Sequence, residues 1–381
     1  MQRLRILLVS VGAFGGAYLR DLTSVPREAD LAGIVEITPH PEERHPVIRE
    51  KGIPVYPTLD AFYAVDHADL AIICSPIHLH TQMSLTCMKN GSHVLCEKPL
   101  CLTQEEVAQL DACSHETGRF LAVGYQLNYR RDVQAMKADI LSGKFGAPKR
   151  LQVVHGYRRG SLYYARNNWA GHITVDGREV FDSPFNNACA HNFQMATFLL
   201  GKDMRSTCRV TGVDAELYRG NPNVENFDIA ALRFTTDCGA PLYYYTAHPI
   251  PTEEFGPFGR FEFERAVITY DGAQRYVATM DDGRVIDYGL IPPTPYFQKI
   301  DDALACIREG TQPICGTGSE GAHIPAVRMV QQHPILDVDP SHVDIVQTQE
   351  RGTCYYVHHL EETFLRSARE WALPREIGLT I

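Results

Sequence analysis

No apolar run in this sequence of 381 residues approaches the about 20 residues needed to cross a bilayer. Positive charge is in deficit: 36 Lys and Arg stand against 46 Asp and Glu, for a net charge of -10, and the basic residues form no long block. That balance excludes the usual electrostatic footprint for nucleic acid or an anionic membrane and favours a small-molecule partner. Internal repeats and low-complexity linkers are missing as well, so the two domains expected at this length should pack closely. The opening stretch from Arg3 and Arg5 into Ile6-Leu7-Leu8-Val9 is too short for a signal h-region and reads as a strand.

Cysteine spacing is uninformative in a useful way. The 11 cysteines are odd in number, sit in apolar segments such as those around Cys74, Cys96 and Cys189, and include no Cys-x-x-Cys pair. Reduced thiols in a cytoplasmic compartment are expected rather than a disulfide framework. Cys87, Cys96 and Cys101, with His93 between them, are the one zinc alternative; their spacing is wrong for it, and no metal is expected.

The first third alternates β-like runs (5–10, 32–36, 70–74, 93–96 and 120–124) with helical segments, a pattern that demands a parallel sheet flanked by helices. Thr103-Gln104-Glu105-Glu106 has the form of a capping box that opens a helix to about Thr117. Beyond Gly124 a helix over 132–141 ends at Gly143, and strand signals then dominate (151–157, 208–213, 227–234, 242–247, 260–263, 267–270 and 275–280). These predict an α+β domain on a large, mostly antiparallel sheet, with helices over 188–200, 295–308, 321–331 and 361–370. The expected division is an α/β Rossmann domain over 1–125 and a substrate-binding and oligomerisation domain over 126–381.

Ser10-Val11-Gly12-Ala13-Phe14-Gly15-Gly16 follows the first strand and precedes a helix, the context a dinucleotide fingerprint requires. Gly12 allows a pyrophosphate to approach the backbone, Gly15 allows tight helix-strand packing, and the helix amino terminus offers unpaired N–H donors. Ser10 stands where the first glycine belongs. Glu36, about 20 residues on, is the acid expected to accept from the adenine-side ribose; it favours NAD over NADP, although His40 and Arg44 are near. Glu97-Lys98-Pro99 closes the fourth apolar run, and a lysine at the carboxyl end of a parallel strand emerges in the crevice where open α/β sheets bind ligands.

With these pieces placed, the chain resembles the glucose-fructose oxidoreductase, inositol dehydrogenase and MocA (Gfo/Idh/MocA) family of NAD(P)-dependent sugar oxidoreductases. The resemblance rests on the fingerprint, on Cys74-Ser75-Pro76-Ile77-His78-Leu79-His80, on Glu97-Lys98-Pro99 and on Gly124-Tyr125-Gln126-Leu127-Asn128-Tyr129-Arg130, in that order. It implies a cofactor site that includes Ser75, Pro76, His78, His80, Glu97, Lys98 and Gln126, and a homodimer or homotetramer formed through the large sheet. It makes Lys98 the catalytic candidate that orients and acidifies the reacting hydroxyl, with Glu97 paired to the cofactor or to Lys98. The family's Asp-x-x-x-His is matched by Asn187-Ala188-Cys189-Ala190-His191, so His191 aligns with the acid/base. Asn187, one helical turn earlier, keeps hydrogen-bonding capacity and loses the charge.

The stretch Tyr157-Arg158-Arg159, then Tyr163-Tyr164-Ala165-Arg166-Asn167-Asn168-Trp169, reads as a carbohydrate surface, in which aromatic faces stack on a sugar while Arg and Asn bond its hydroxyls. Substrate contacts are therefore expected from Lys98, Tyr125, Tyr164, Arg166, Asn168, Trp169, Asn187 and His191. Asp182-Ser183-Pro184-Phe185-Asn186 leads into the Asn187 helix, and Asn226, Phe227, Asp228, Tyr245 and His248 are further candidates from the sheet. Three functions fit: an NAD-dependent oxidoreductase acting on a secondary alcohol or ketone of a sugar, cyclitol or glycoside; a redox-assisted glycosidase or lyase that retains NAD and forms a transient keto-sugar; and a non-catalytic NAD-binding sensor.

Overall fold

The structure, a computed structural model, describes residues 2–12, 14–272 and 275–381. The chain gathers into two compact units, Met1–Tyr129 with Thr294–Glu320 and Arg130–Pro293 with Gly321–Ile381.

The first unit carries six parallel strands, β1 (Leu4–Val9), β2 (Ala29–Val35), β3 (Val55–Tyr56), β4 (Leu70–Ile73), β5 (His93–Cys96) and β6 (Leu121–Val123), in the order β3-β2-β1-β4-β5-β6. Strand order reverses between β1 and β4, so the loops leaving these strands open a crevice at their carboxyl ends. The strands are mainly apolar because helices cover both faces of such a sheet. The Thr103 capping box forms as the sequence predicts, with the hydroxyl accepting from Glu106 N and the Glu106 side chain bonding the Thr103 N–H.

Residues 294–320, which the sequence places in the second domain, cluster instead with the first unit. The reason is one amphipathic helix, Gln298–Glu309. Its Ile300, Ala303 and Leu304 enter the core formed by Ile6, Leu8, Ile34, Leu70 and Ile72, and burying each large side chain is worth about 1.5–3 kcal/mol.

In the second unit, β7 (Pro148–Tyr157) is followed by a two-stranded ribbon of β8 (Thr174–Val175) and β9 (Arg178–Glu179), then by β10 (Val210–Arg219), β11 (Ile229–Thr236), β12 (Leu242–Ala247), β13 (Glu254–Phe263), β14 (Ala266–Asp271), β15 (Tyr276–Met280), β16 (Val285–Asp287) and β17 (Ile335–Asp337). Apart from the ribbon, these form one nine-stranded sheet, β16-β15-β14-β13-β7-β12-β11-β10-β17. Most pairs are antiparallel; β7 with β12 and β10 with β17 are parallel. A second ribbon of β18 (Val343–Thr348) and β19 (Gly352–Val357), which leaves Ile345 and Val346 exposed, lies outside the strands predicted from the sequence. All 11 cysteines are free thiols. Among the described residues, no helix is long and apolar enough to cross a membrane.

Candidate functional site

β1 ends at Val9, and Ser10 follows in the left-handed region at φ 70°. A glycine adopts that conformation without penalty and a serine does not, which explains why the fingerprint normally begins with Gly. The Ser10 hydroxyl is put to use there: it lies 3.3 Å from Glu36 Oε2 and 3.4 Å from Gly12 N. Gly15 is obligatory for another reason, since a Cβ at that position would overlap the Ser10 carbonyl. The helix Gly15–Ser24 starts here, with its first N–H groups at the crevice. Ala13 lies outside the described residues. Phe14 packs its ring edge-on against Tyr18.

Glu36 follows β2 and accepts from Val11 N and Thr38 N, each at 2.9 Å. Burial pushes its pKa up, but these backbone hydrogen bonds outweigh it and hold the carboxyl below the ordinary range, so it is an ionised acceptor at neutral pH. Val11, Gly12, Thr38, Pro41, Arg44 and His45 line the recess beside it. At the end of β4, Ser75 Oγ is buried with no hydrogen-bond partner among the described residues, and Pro76 precedes the helix Ile77–Lys89. An orphaned hydroxyl, an acid end-cap and a glycine forced by close backbone approach together fit a dinucleotide.

His78 is exposed on the first turn of that helix. His80 is not free for a cofactor: its ring nitrogens face the carbonyls of Pro99 at 2.9 Å and Ser75 at 2.8 Å. Burial lowers its pKa, so a neutral ring donates to one carbonyl at a time and clamps the loop after Lys98 onto the end of β4.

Lys98 leaves the carboxyl end of β5 half-buried and precedes a cis peptide to Pro99. Glu97, for which the sequence reading offered the cofactor or Lys98 as partner, also meets a lysine from a helix distant in sequence. Its Oε1 accepts from Lys299 Nζ at 2.5 Å and from Tyr18 OH at 2.6 Å. Burial raises the Glu97 pKa, and the Lys299 charge and these two donors outweigh it, leaving the carboxyl below the ordinary range. Gly124 makes room for the pair, because a Cβ there would stand 2.6 Å from Glu97 Oε1. Tyr125 is fully buried, and Gln126 begins the short 3-10 helix that follows β6. Lys299 was invisible to motif reading: it lies 202 positions from Glu97 on a helix whose only sequence signal was its apolar stripe.

In the second unit, Asn187 and His191 do not share one α-helix. A π-helical turn spans Pro184–Ala188 and the α-helix begins at Ala190; π turns inserted at helices recur at functional sites. Asn187 Nδ2 donates to Asp182 Oδ1 at 2.8 Å, and Asp182 Oδ2 accepts from Gly171 N at 2.7 Å. The carboxylate that the Asn187 substitution removes is therefore present one bond further back, from a residue the sequence reading placed only in the segment leading into this helix. His191 is half-buried on the first turn of the α-helix.

Next to it, His155 meets Asn192 at 2.9 Å and Glu254 at 3.2 Å. Burial pulls its pKa down, but Cys189 and Glu254 outweigh that and push it up to about 9. Sequence reasoning missed His155, which β7 presents as an ordinary strand residue. Of the aromatic stretch, Tyr164 OH bonds His248 Nδ1 at 2.8 Å. Arg166 lies over the rings of Tyr163 and Trp169, and Asn168 is exposed. Asn167 shapes the turn by accepting from Trp169 N and Ala170 N.

Comparison with known proteins agrees with this geometry. Residues 4–125 match the model of the Gfo/Idh/MocA family, described as an oxidoreductase family with an NAD-binding Rossmann fold. Inositol 2-dehydrogenase 1 of Saccharopolyspora erythraea is 27% identical over 206 residues, 52% of this chain and 55% of that protein. Myo-inositol 2-dehydrogenase of Thermotoga maritima is 22% identical over 233 residues, 61% of this chain and 65% of its own. The matched part of the chain thus spans about half the length of the first of these curated relatives. Among solved structures, the WlbA dehydrogenase of Bordetella pertussis in complex with NADH and UDP-GlcNAcA superposes with TM-score 0.69 at 19% identity, covering 87% of this chain and 95% of that one. Aldose-aldose oxidoreductase of Caulobacter crescentus, complexed with glycerol, gives 0.69 at 19% identity, with 87% and 97% covered. Residues 4–125 are thus similar to the NAD-binding Rossmann domain of the Gfo/Idh/MocA oxidoreductases.

Proposed function

We propose that the protein is an NAD-dependent oxidoreductase that transfers hydride between the nicotinamide and a secondary alcohol or ketone of a sugar or cyclitol. The observation that carries this reading is a coincidence of strand ends: Ser10 to Gly15 after β1, Ser75 after β4 and Lys98 after β5 all leave the carboxyl edge of one parallel sheet, where such folds bind cofactor and substrate. The inositol and sugar dehydrogenase activities named for its relatives support the substrate class.

When bound, NAD supplies a hydride acceptor at C4 of the nicotinamide. The glycine turn and Glu36 hold its pyrophosphate and adenine-side ribose, and Ser75 offers a hydroxyl to it. Lys98 orients the reacting hydroxyl and stabilises the alkoxide character that develops as hydride leaves the carbon. His191 takes the hydroxyl proton in oxidation and returns it in reduction. Asn187, held by Asp182, contributes an amide to the substrate. The same reading carries a cytoplasmic homo-oligomer, consistent with 11 free thiols.

The test is absorbance at 340 nm with the full chain, NAD and a panel of sugars, cyclitols and glycosides. Reduction by at least one neutral or acidic sugar, lost in Lys98→Met, is expected. Tightly retained NAD with no net reduction would instead point to the retained-cofactor glycosidase or lyase reading, and NAD binding with no chemistry on any substrate to a sensor.

A further inference from the structure

Resting on that reading, we infer that the second unit carries an anion subsite formed by Arg159, Arg166 and His248 around the ring of Tyr163, which selects a sugar bearing a carboxylate or phosphate group.

Two guanidinium groups converge on one aromatic ring: Arg159 Cζ lies 4.7 Å and Arg166 Cζ 3.5 Å from the Tyr163 centroid. Arg159 also lies over Tyr157 and Arg166 over Trp169. Among the described residues, neither arginine is within ion-pair distance of a carboxylate. The contrast with their neighbour is direct, since Arg158 takes Glu253 at 2.7 Å and the Pro251 carbonyl at 2.9 Å, and Arg351 takes the same Glu253. Arg166 spends one N–H on the Tyr163 carbonyl at 2.7 Å.

The acids nearest the cluster are already engaged. Glu254 is bonded to His155 at 3.2 Å, and Asp182 holds Asn187 and the Gly171 N–H.

Among the described residues, Arg159 Nε and His248 Nε2 are buried without a hydrogen-bond partner, as is Arg158 Nε beside them. Arg159 and His248 are adjacent, with Arg159 N donating to the His248 carbonyl at 3.3 Å. Burial first, then the charges of Arg159 and Arg166, hold the His248 pKa well below its ordinary value. The ring is therefore neutral, and in the tautomer whose Nδ1 accepts from Tyr164 OH its Nε2 carries the proton and can donate to an anion. Native interiors pair buried donors almost without exception, so orphans gathered in one place mark a site that another molecule completes. A planar guanidinium fork matches a carboxylate or phosphate in bidentate fashion.

The test is titration calorimetry on the full chain with NAD present, using glucuronate, glucose 6-phosphate and glucose as probes. Glucuronate or glucose 6-phosphate should bind at least tenfold more tightly than glucose, and the tighter of the two identifies carboxylate or phosphate as the recognised group. Arg159→Gln and the exposed Arg166→Gln should each shrink that acidic-over-neutral ratio several-fold. Equal affinity for all three probes, or a ratio unmoved in a folded Arg166→Gln, overturns the subsite. Binding without turnover is read directly, so anion-selective binding with no NAD reduction would contradict the oxidoreductase reading alone, and oxidation of sugars with no anion preference would contradict the subsite alone.

Discussion

Lys299 and Glu97 form a buried ion pair at 2.5 Å across 202 positions of sequence. The pair ties the helix Gln298–Glu309 to the loop that presents Lys98, and Lys299 also reaches the Gly124 carbonyl at 3.3 Å. A charge removed from such a pair leaves its partner desolvated and unpaired. Lys299→Met should therefore destabilise the fold by about 3–5 kcal/mol in urea unfolding at neutral pH, and adding Glu97→Gln to it should recover much of the loss. Because the Glu97 pKa is depressed in the fold, its contribution is present above the ordinary carboxylate range and fades as pH falls through the depressed value. The Lys299→Met deficit should accordingly narrow in acid.

Glu320 presents the opposite case. Its carboxyl is fully buried, neither oxygen has a hydrogen-bond partner among the described residues, and burial pushes its pKa up to about 8. The fold favours the protonated form, so this group's contribution is fully present below the unfolded carboxylate value and is lost as pH rises, at about 1.4 kcal/mol per pH unit, levelling off past the folded value. Glu320→Gln cannot ionise. Its melting temperature should exceed that of the wild type at pH 8, and the gap should shrink steadily on acidification to pH 5.

Ser10 holds a left-handed conformation at φ 70°, which costs a non-glycine residue about 1–2 kcal/mol. Its hydroxyl contacts at 3.3 and 3.4 Å are long and recover only part of that. Ser10→Gly should raise stability by about 1 kcal/mol in thermal unfolding without weakening NAD binding, whereas Ser10→Val should lower both.

Restoring the family's acid at position 187 should harm this protein. Asn187→Asp would set a second carboxylate against Asp182, where the amide now donates at 2.8 Å. Like charges at that distance disfavour joint ionisation, and a buried acceptor loses its donor at a cost of about 1–3 kcal/mol. Chemical denaturation should show the variant less stable than wild type at pH 7 and closer to it at pH 4.

These cases show what a sequence discloses about such a site. Gly15, Glu36 and Lys98 were legible because each obeys a local rule: a turn that excludes a side chain, an acid at a fixed distance from the glycines, a strand end. The parallel sheet was legible from apolar strands alternating with helices, and the capping box at Thr103 from four adjacent residues. Lys299, His155 and the carboxylate of Asp182 were not, because their importance arises from partners distant in sequence or from burial, which no local spacing encodes. The return of residues 294–320 to the first unit was hidden for the same reason, since an amphipathic helix does not announce which core it joins.

The claim that Lys98 and the NAD cradle serve hydride transfer is tested most directly by isotope transfer. The full chain is incubated with NAD and ring-deuterated myo-inositol or glucuronate, and the NADH formed is weighed by mass spectrometry. The account predicts one deuterium per NADH with at least one of the two substrates, and loss of that label in Lys98→Met. NAD held by the wild-type protein, with no deuterium reaching it from either substrate or from any other deuterated sugar, would contradict it.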